Sequence, residues 1–355
     1  MRRAVKNRLC YGTWFFFLCL TATVTLGQKS SIREVTLKPE HRNAGTIKYQ
    51  AGYFVLLHEK GVTGNAEAIG RTVTLLNLGG EEVFSRHPGL DVPDAVRVGA
   101  LDAAVNSKGL LVVGATAQSP SGQLASILMV YDTASAKLQR IIRTSPVAPY
   151  KLAIDEQNDI WVLGPPLAGT STTDGGVLHK YSVDGRLVGS YLSTSLFSST
   201  GGTKRLLWRD QLGAPEILAN QRGKIFVFLP TSRALFQLSL EGVLLGQTNI
   251  SEDGIETRWG QGLAAQPDGT LVTIKRTTNT GNKGGGFAYS VHRLTDSTNG
   301  WTAISSSAET SLTSMLRDPS AEDGFMYRRA IVGADDTSLI LRDWETGTLF
   351  WVPVK

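Results

Sequence analysis

Leu152-Ala153-Ile154-Asp155-Glu156-Gln157-Asn158-Asp159-Ile160-Trp161-Val162-Leu163 is an apolar run, a polar turn and a second apolar run. Each run is too short for a helix and is bounded by turn-forming residues, so the stretch reads as a β-hairpin. A second hairpin follows in Leu178-His179-Lys180-Tyr181-Ser182-Val183-Asp184-Gly185-Arg186-Leu187-Val188-Gly189-Ser190-Tyr191. Its apolar positions alternate and Asp184-Gly185 sits between the halves, a strong short-range hairpin signal. Two hairpins in series make one four-stranded unit.

The unit recurs. The first hairpin returns as Ala103–Val113 around Asn106–Gly109, Ile217–Phe228 around Asn220–Gly223, Leu263–Thr273 around Pro267–Gly269 and Ala330–Leu341 around Asp335–Thr337, and Phe54–Leu57 follows Gly52 in the same way. The second hairpin returns as Val73–Phe84 around Gly79-Gly80, Ile127–Ile142 around Ala134-Ser135, Leu235–Leu245 around Glu241-Gly242 and Tyr289–Ile304 around Asn299-Gly300. Turns at 52, 109, 159, 223, 269 and 337 give a mean step of (337−52)/5 = 57 residues. Four-stranded units repeated at this step predict an all-β, six-bladed β-propeller of antiparallel blades, with seven blades as the alternative. Sustained helical periodicity is missing; a weak pattern stands at Ser311–Leu316. The last unit supplies three strands, ending in Thr348–Val354. Its fourth is expected from Ile32–Leu37, so that pairing of the two ends closes the ring and removes open edges.

The six units, the Asp-Gly hairpins and the strand–turn–strand Leu152–Gly164 resemble six-bladed propellers of the NHL-repeat and gluconolactonase-like superfamily. The resemblance spans nearly the whole chain after the N-terminal segment and implies the fold more specifically than the activity. Gluconolactonase-like enzymes hold a divalent cation in the channel with carboxylate and amide ligands. Asp102, Glu216 and Asn220 stand near inner-strand positions, but none aligns with that site residue by residue.

The N-terminus reads as an export signal. Arg2, Arg3, Lys6 and Arg8 precede an uncharged stretch, Leu9–Gln28, centred on Trp14–Leu18, with small residues near Thr25–Gly27. We therefore expect residues 1–27 to be a signal peptide and 28–355 a single propeller domain, periplasmic or extracellular. The alternative is a retained membrane anchor, since twenty uncharged residues are just enough to span a bilayer. Without the segment, Lys+Arg falls from 36 to 32 against 31 acidic residues, so the net charge drops from +5 to +1. The basic character thus belongs to the signal and argues against nucleic acid as a partner. Both cysteines, Cys10 and Cys19, lie in it, which leaves the expected domain without thiols or disulfides.

In a propeller blade the first-to-second and third-to-fourth turns share one rim, and the other connections share the opposite rim. The sequence makes the first set short. The second set includes Gly164–Gly176, Ser193–Pro215, Lys275–Phe287 and Ser305–Tyr327, all long. Long loops within a compact domain commonly carry function. We expect the ligand-binding residues there: Lys204, Arg205, Trp208 and Arg209 in the cationic, aromatic run Lys204–Asp210, with Lys275, Arg276 and Arg328 (beside Arg329) bordering two other long loops. Cations around an aromatic suit anionic or sugar-like ligands; the plainer reading has Leu206, Leu207 and Trp208 packing on the rim.

Signatures of chemistry are sparse. The histidines, His41, His58, His87, His179 and His292, are isolated in sequence, so no metal site is expected. Most acidic pairs fall in turns, where Asp bonds the local backbone. No nucleophile elbow or phosphate-binding loop appears. No catalytic residue or cofactor is assigned. The expected function is an exported, non-catalytic propeller binding an unidentified protein, peptide or carbohydrate through one face. The alternative is a metal-dependent lactonase or related hydrolase, the only reading that needs a divalent cation.

Overall fold

The computed structural model describes residues 32–58, 71–144, 147–164, 176–193, 216–220, 223–229, 234–249, 263–279, 286–294, 301–303 and 329–354; residues 216–220, 229, 249, 275–279, 286–289, 301–303 and 329 are described by their backbone alone. The chain begins with β1 (Arg33–Thr36) and a one-turn helix, α1 (Pro39–Arg42). Blade 1 comprises β2 (Thr46–Gln50), β3 (Tyr53–His58), β4 (Thr72–Leu76) and β5 (Glu82–Arg86). Blade 2 comprises β6 (Arg97–Val105), β7 (Leu110–Gln118), β8 (Leu124–Asp132) and β9 (Lys137–Arg143). Blade 3 comprises β10 (Lys151–Ile154), β11 (Ile160–Leu163), β12 (Gly176–Tyr181) and β13 (Leu187–Ser193). Blade 4 is β14 (Glu216–Asn220), β15 (Lys224–Leu229), β16 (Ala234–Ser239) and β17 (Leu244–Asn249). Blade 5 is β18 (Leu263–Ala265), β19 (Leu271–Asn279), β20 (Gly286–Leu294) and β21 (Trp301–Ala303). Blade 6 is β22 (Arg329–Ala334), β23 (Ser338–Asp343) and β24 (Thr348–Pro353), with β1 as its outer strand. All six sheets are antiparallel meanders, so the fold is a six-bladed β-propeller, as the repeat predicts.

The closure also follows the expectation: Glu34 pairs with Phe350 and Val35 with Leu349. Pairing the two ends makes the last blade as complete as the others. The first strands of successive blades meet around the axis, and between blades 1 and 2 β3 also packs against β6.

Burial explains the composition of the strands. Middle strands are covered on both faces by neighbouring blades, so β4, β11 and β23 are buried along their whole length; β4 and β11 read as continuous apolar or small-residue runs, and β23 does so up to its closing Arg342-Asp343. Outer strands such as β5, β9 and β13 read as mostly exposed, with one or two buried anchors: Phe84 in β5, Ile142 in β9 and Leu192 in β13. The core is accordingly not one cluster but six, each filling the wedge between two blades. Leu57, Leu75 and Phe84 of blade 1 meet Val113, Met129 and Tyr131 of blade 2. Trp161 and Leu163 meet Val227 and Phe236 between blades 3 and 4. Phe54 and Leu76 meet Ile340 and Trp351 where blade 6 meets blade 1. The other three wedges join blades 2 and 3, 4 and 5, and 5 and 6.

The third-to-fourth turns carry a second function that the sequence pattern leaves hidden. In blades 1, 3 and 4 the turn ends in a glycine with positive φ: Gly80 (79°), Gly185 (97°) and Gly242 (83°). Just beyond each, the fourth strand carries one extra residue, Val83, Val188 or Leu245, so the hairpin is bulged rather than a simple two-residue turn. Each also lies against the outer strand of the preceding blade. A Cβ on Gly80 would stand 3.0 Å from Val35, one on Gly185 3.3 Å from Ile142, and one on Gly242 1.9 Å from the Tyr191 ring. Blade 2 uses Ala136 at φ 53° in the same place. The glycines thus serve the bulge and the joint between blades together.

Candidate functional site

Because each blade is a meander, the first-to-second and third-to-fourth turns emerge at one rim. Among the connections at that rim, the shortest is 51–52 and the longest 295–300. The chain leaves the opposite rim at 37–45, 59–71, 87–96, 144–150, 164–175, 194–215, 250–262 and 304–328, and more briefly at 119–123, 230–233, 280–285 and 344–347. The asymmetry read from the sequence is present in the strand order, with one correction. Lys275 and Arg276 do not border a long loop: β19 and β20 continue the ladder, pairing Lys275 with Ser290 and Arg276 with Tyr289, and the connection contracts to 280–285. The polar, Gly-rich run at 280–286 masked the strand signal on either side of it. Lys204, Arg205, Trp208, Arg209 and Arg328 lie outside the described residues, as do residues 1–27 and Ser311–Leu316.

Around blade 2, the long-connection rim presents a mixed apolar and cationic surface. Leu90, Val96, Leu124 and Tyr150 are 40–62% exposed. Leu90 and Val96 belong to the connection entering blade 2, Leu124 opens β8, and Tyr150 ends the connection leaving that blade. Arg97 heads β6 and Lys151 heads β10, next to Val96 and Tyr150. Sequence reasoning missed this set. Its signal is an apolar residue placed immediately before a cation at the start of an inner strand, twice, in Val96-Arg97 and Tyr150-Lys151. The connection entering blade 2 is held in shape from below. Arg86 donates from Nε to Asp91 Oδ2 at 2.9 Å and reaches Oδ1 with its second arm, and the Tyr131 hydroxyl donates to Asp91 Oδ2 at 2.9 Å. The bond from Arg86 holds the Asp91 carboxyl below the usual carboxylate range despite its burial.

Deeper in the ring, one carboxylate joins three blades. Asp102, 1% exposed, accepts from Lys48 Nζ at 2.6 Å and from the Leu152 N–H at 2.8 Å, both on Oδ2. Lys48 lies on the inner strand of blade 1, Asp102 on that of blade 2 and Leu152 on that of blade 3. A register shift between Ala100 and Asp102 marks this part of β6. Asp102 is the candidate cation ligand whose side chain is described, and its Oδ2 is occupied by an ammonium and an amide. It fits a staple better than a divalent-cation site. Glu216 heads β14 at the long-connection rim and Asn220 ends it at the other, so one ion cannot draw on both ends of that strand. Among the described residues, no group of three or more His, Cys, Asp or Glu is placed to hold a metal.

Other buried polar groups shape turns within a blade or link one blade to the next. Asp155 shapes its turn by accepting the N–H groups of Gln157 and Asp159 at 2.9 Å, and it also accepts from Trp161 Nε1 at 2.8 Å. Lys180 reaches from blade 3 to Leu240 O of blade 4 at 2.8 Å and pairs with Asp159 at 2.8 Å. Burial works against its charge, but the hydrogen bond to Asp159 and the charges of Asp155 and Asp159 hold its pKa above the ordinary lysine value. Arg342, fully buried, donates to Ala44 O at 2.8 Å and to Arg42 O, and stacks 3.9 Å from the Trp344 ring centre; burial draws it down to about 10. The histidines are not all isolated in space: the His41 and His58 rings meet edge-on at 5.9 Å, and His58 Nε2 lies 2.8 Å from Thr74 Oγ1. Blade 1 and α1 bring together residues separated by seventeen positions, a proximity the pattern of β-runs does not contain.

No protein-family model matches the chain, and no curated protein does. Several solved structures are similar in fold. One is a DUF4221-family member from Bacteroides vulgatus, at 8% identity over 91% of this chain and 96% of that one, TM-score 0.48. Another is a protein of unknown function from Bacteroides caccae, at 13% identity over 73% and 81%, TM-score 0.42. A third is the WD40 β-propeller domain of Doa1, at 9% identity over 87% and 78%, TM-score 0.41. At these identities the likeness is one of architecture. The chain is a six-bladed β-propeller, and membership of the NHL-repeat and gluconolactonase-like superfamily has no family match behind it.

Proposed function

We propose that this protein is an exported, non-catalytic binding propeller that takes a protein, peptide or carbohydrate ligand on the rim from which its long connections emerge. One observation carries the reading: exposed Leu90, Val96, Leu124 and Tyr150 and the inner-strand cations Arg97 and Lys151 gather at that rim around blade 2. Apolar contact area beside positive charge suits a ligand with both apolar and anionic groups. The cationic run Lys204–Arg209, which stands between β13 and β14 in the sequence, has the same chemical character. Export rests on the basic and then apolar segment at 1–27, and N-terminal sequencing of the accumulated protein tests it: a start near residue 28 supports export, and an intact Met1 in the cytosolic fraction overturns it.

The resemblance to gluconolactonase-like propellers keeps a metal-dependent lactonase in view as the competing class. The ion pair made by Asp102 weighs against it, since that carboxylate is already neutralised. A peptide and glycan array probed with the full chain tests the binding reading. We expect a ligand whose retention falls at least tenfold in Val96→Asp and Arg97→Glu and is unchanged in Lys137→Ala, a substitution on the outer strand of blade 2. Binding that survives both rim substitutions, or lactone turnover abolished by EDTA, overturns the proposal.

A further inference from the structure

Three strands of blade 2 bring Arg97, Gln118 and Leu124 into one row: Arg97 pairs with Gln118 across β6 and β7, and Gln118 with Leu124 across β7 and β8. The Val96 N–H donates to Gln118 O at 2.8 Å and fixes the end of the row. Neighbouring strands stand about 4.8 Å apart, so a cation on the channel side and an exposed leucine further out are separated by about 10 Å. Beside the row, Tyr150-Lys151 is pinned to blade 2 on both sides. Pro149 rests on Gly114 of β7, where a Cβ would stand 2.8 Å from the Pro149 Cβ, and the Leu152 N–H is held by Asp102. Arg143 ends β9 at the same rim and is exposed. Two nearby carboxylates are engaged, Asp91 with Arg86 and Tyr131 and Asp102 with Lys48. Among the described residues, Arg97, Arg143 and Lys151 take part in no ion pair, and in the connections entering and leaving blade 2 the exposed carboxylate is that of Asp94.

We propose, resting on the binding reading of this rim, that its ligand is an acidic peptide: an extended segment of a partner protein that sets an Asp or Glu against Arg97 and an apolar side chain on Leu124 about three residues away. Three cations against one carboxylate give the surface a positive excess, which an anionic partner neutralises. An acidic glycan supplies the charge but little apolar surface to bury. Leu90, Val96 and Leu124 are aliphatic, so they gain most from apolar side chains that leave water with them. An anionic membrane supplies both charge and apolar depth, but Asp94 stands between Leu90 and Val96 in one connection. Sinking those two side chains into the acyl layer carries an ionised carboxylate with them, at a large desolvation cost. A peptide leaves Asp94 in water.

An array of peptides of about eight residues, each with one Glu and one Leu at separations from one to five, tests this with the full chain. Matched Gln-for-Glu peptides, polygalacturonate and vesicles containing phosphatidylglycerol are probed beside it. We expect retention that is greatest at a separation of three and that falls at least about tenfold in the Gln peptides and, for every peptide, in Leu124→Asp. Arg97→Glu should reverse the preference, retaining Lys-for-Glu peptides over the Glu peptides, which also shows that the altered chain is folded. Equal retention of Glu and Gln peptides, or of all separations, overturns the inference, as does a chain that retains no peptide. Retention of polygalacturonate or of the vesicles alone, lost in Val96→Asp, overturns it while the binding reading of the rim stands. Peptide retention unaffected by Val96→Asp and Arg97→Glu overturns both.

Discussion

Substitution of Asp102 by alanine should weaken the ring by about 3 kcal/mol. The Leu152 N–H, on a fully buried residue, loses its acceptor at 2.8 Å, and an orphaned buried donor costs about 1–3 kcal/mol. The Lys48 ammonium also loses its counter-charge. Its side chain is 21% exposed, so water replaces part of the interaction and this loss is about 1 kcal/mol. At about 2.1 cal/mol/K per residue, a ring of about 320 residues unfolds with roughly 0.7 kcal/mol/K, which converts 3 kcal/mol into a fall in Tm of about 4 °C. Asp102→Asn separates the two contributions. Its carbonyl oxygen still accepts from Leu152, so only the charge is lost and the fall should be about 1–2 °C. Thermal unfolding followed by circular dichroism, with calorimetry for the enthalpy, reads both. Equal midpoints for the alanine and asparagine variants would refute the reasoning, because they would show that the buried amide does not depend on this carboxylate. Midpoints of both within 1 °C of the unaltered protein would show that the link among blades 1, 2 and 3 contributes little.

Three further outcomes follow from the same geometry. Gly242→Ala should cost at least about 2 kcal/mol, since its Cβ meets the Tyr191 ring at 1.9 Å on a residue of positive φ, whereas Gly52→Ala, at φ 86° with open space around it, should cost only about 1 kcal/mol; chemical denaturation compares them. Lys180→Met should cost about 3 kcal/mol by leaving Asp155 and Asp159 without their ammonium inside the blade 3–4 joint, and Asp159→Asn in the same background should recover part of it, as a double-mutant cycle will read. Burial holds the His179 pKa below the ordinary histidine value. On acidification the unfolded chain therefore takes up its proton first, so stability is full above about pH 6.5 and declines as the pH falls below it. His179→Gln should flatten melting temperatures between pH 7 and 5 relative to the unaltered chain.

The architecture was legible because a blade is a local object. Leu152–Leu163 and Leu178–Tyr191 announce two hairpins from neighbouring residues alone, and the copies of that pair at a step of about 57 residues set the number of blades. The closure was legible for a related reason: a final unit one strand short needs a partner, and Ile32–Leu37 is the β-rich run at the other end. The site was harder to read. Lys275 and Arg276 looked like loop residues because the Gly-rich run at 280–286 follows them closely, yet they extend a ladder with Ser290 and Tyr289 that only pairing reveals. Val96-Arg97 and Tyr150-Lys151 went unremarked, because only the strand order brings them to one rim.

What the sequence determined by itself was the period, and with it the six sheets, the short and long sides of the ring and the meeting of its ends, because β-hairpins are encoded by alternation and turn chemistry within a dozen residues. What the tertiary structure decided was how the blades hold one another and which surfaces remain. Asp102 became a staple among three blades, and Gly242 a seat for Tyr191. These depend on contacts between residues some fifty positions apart. Such contacts arise from packing wedge against wedge around an axis, a constraint that no stretch of the chain expresses alone.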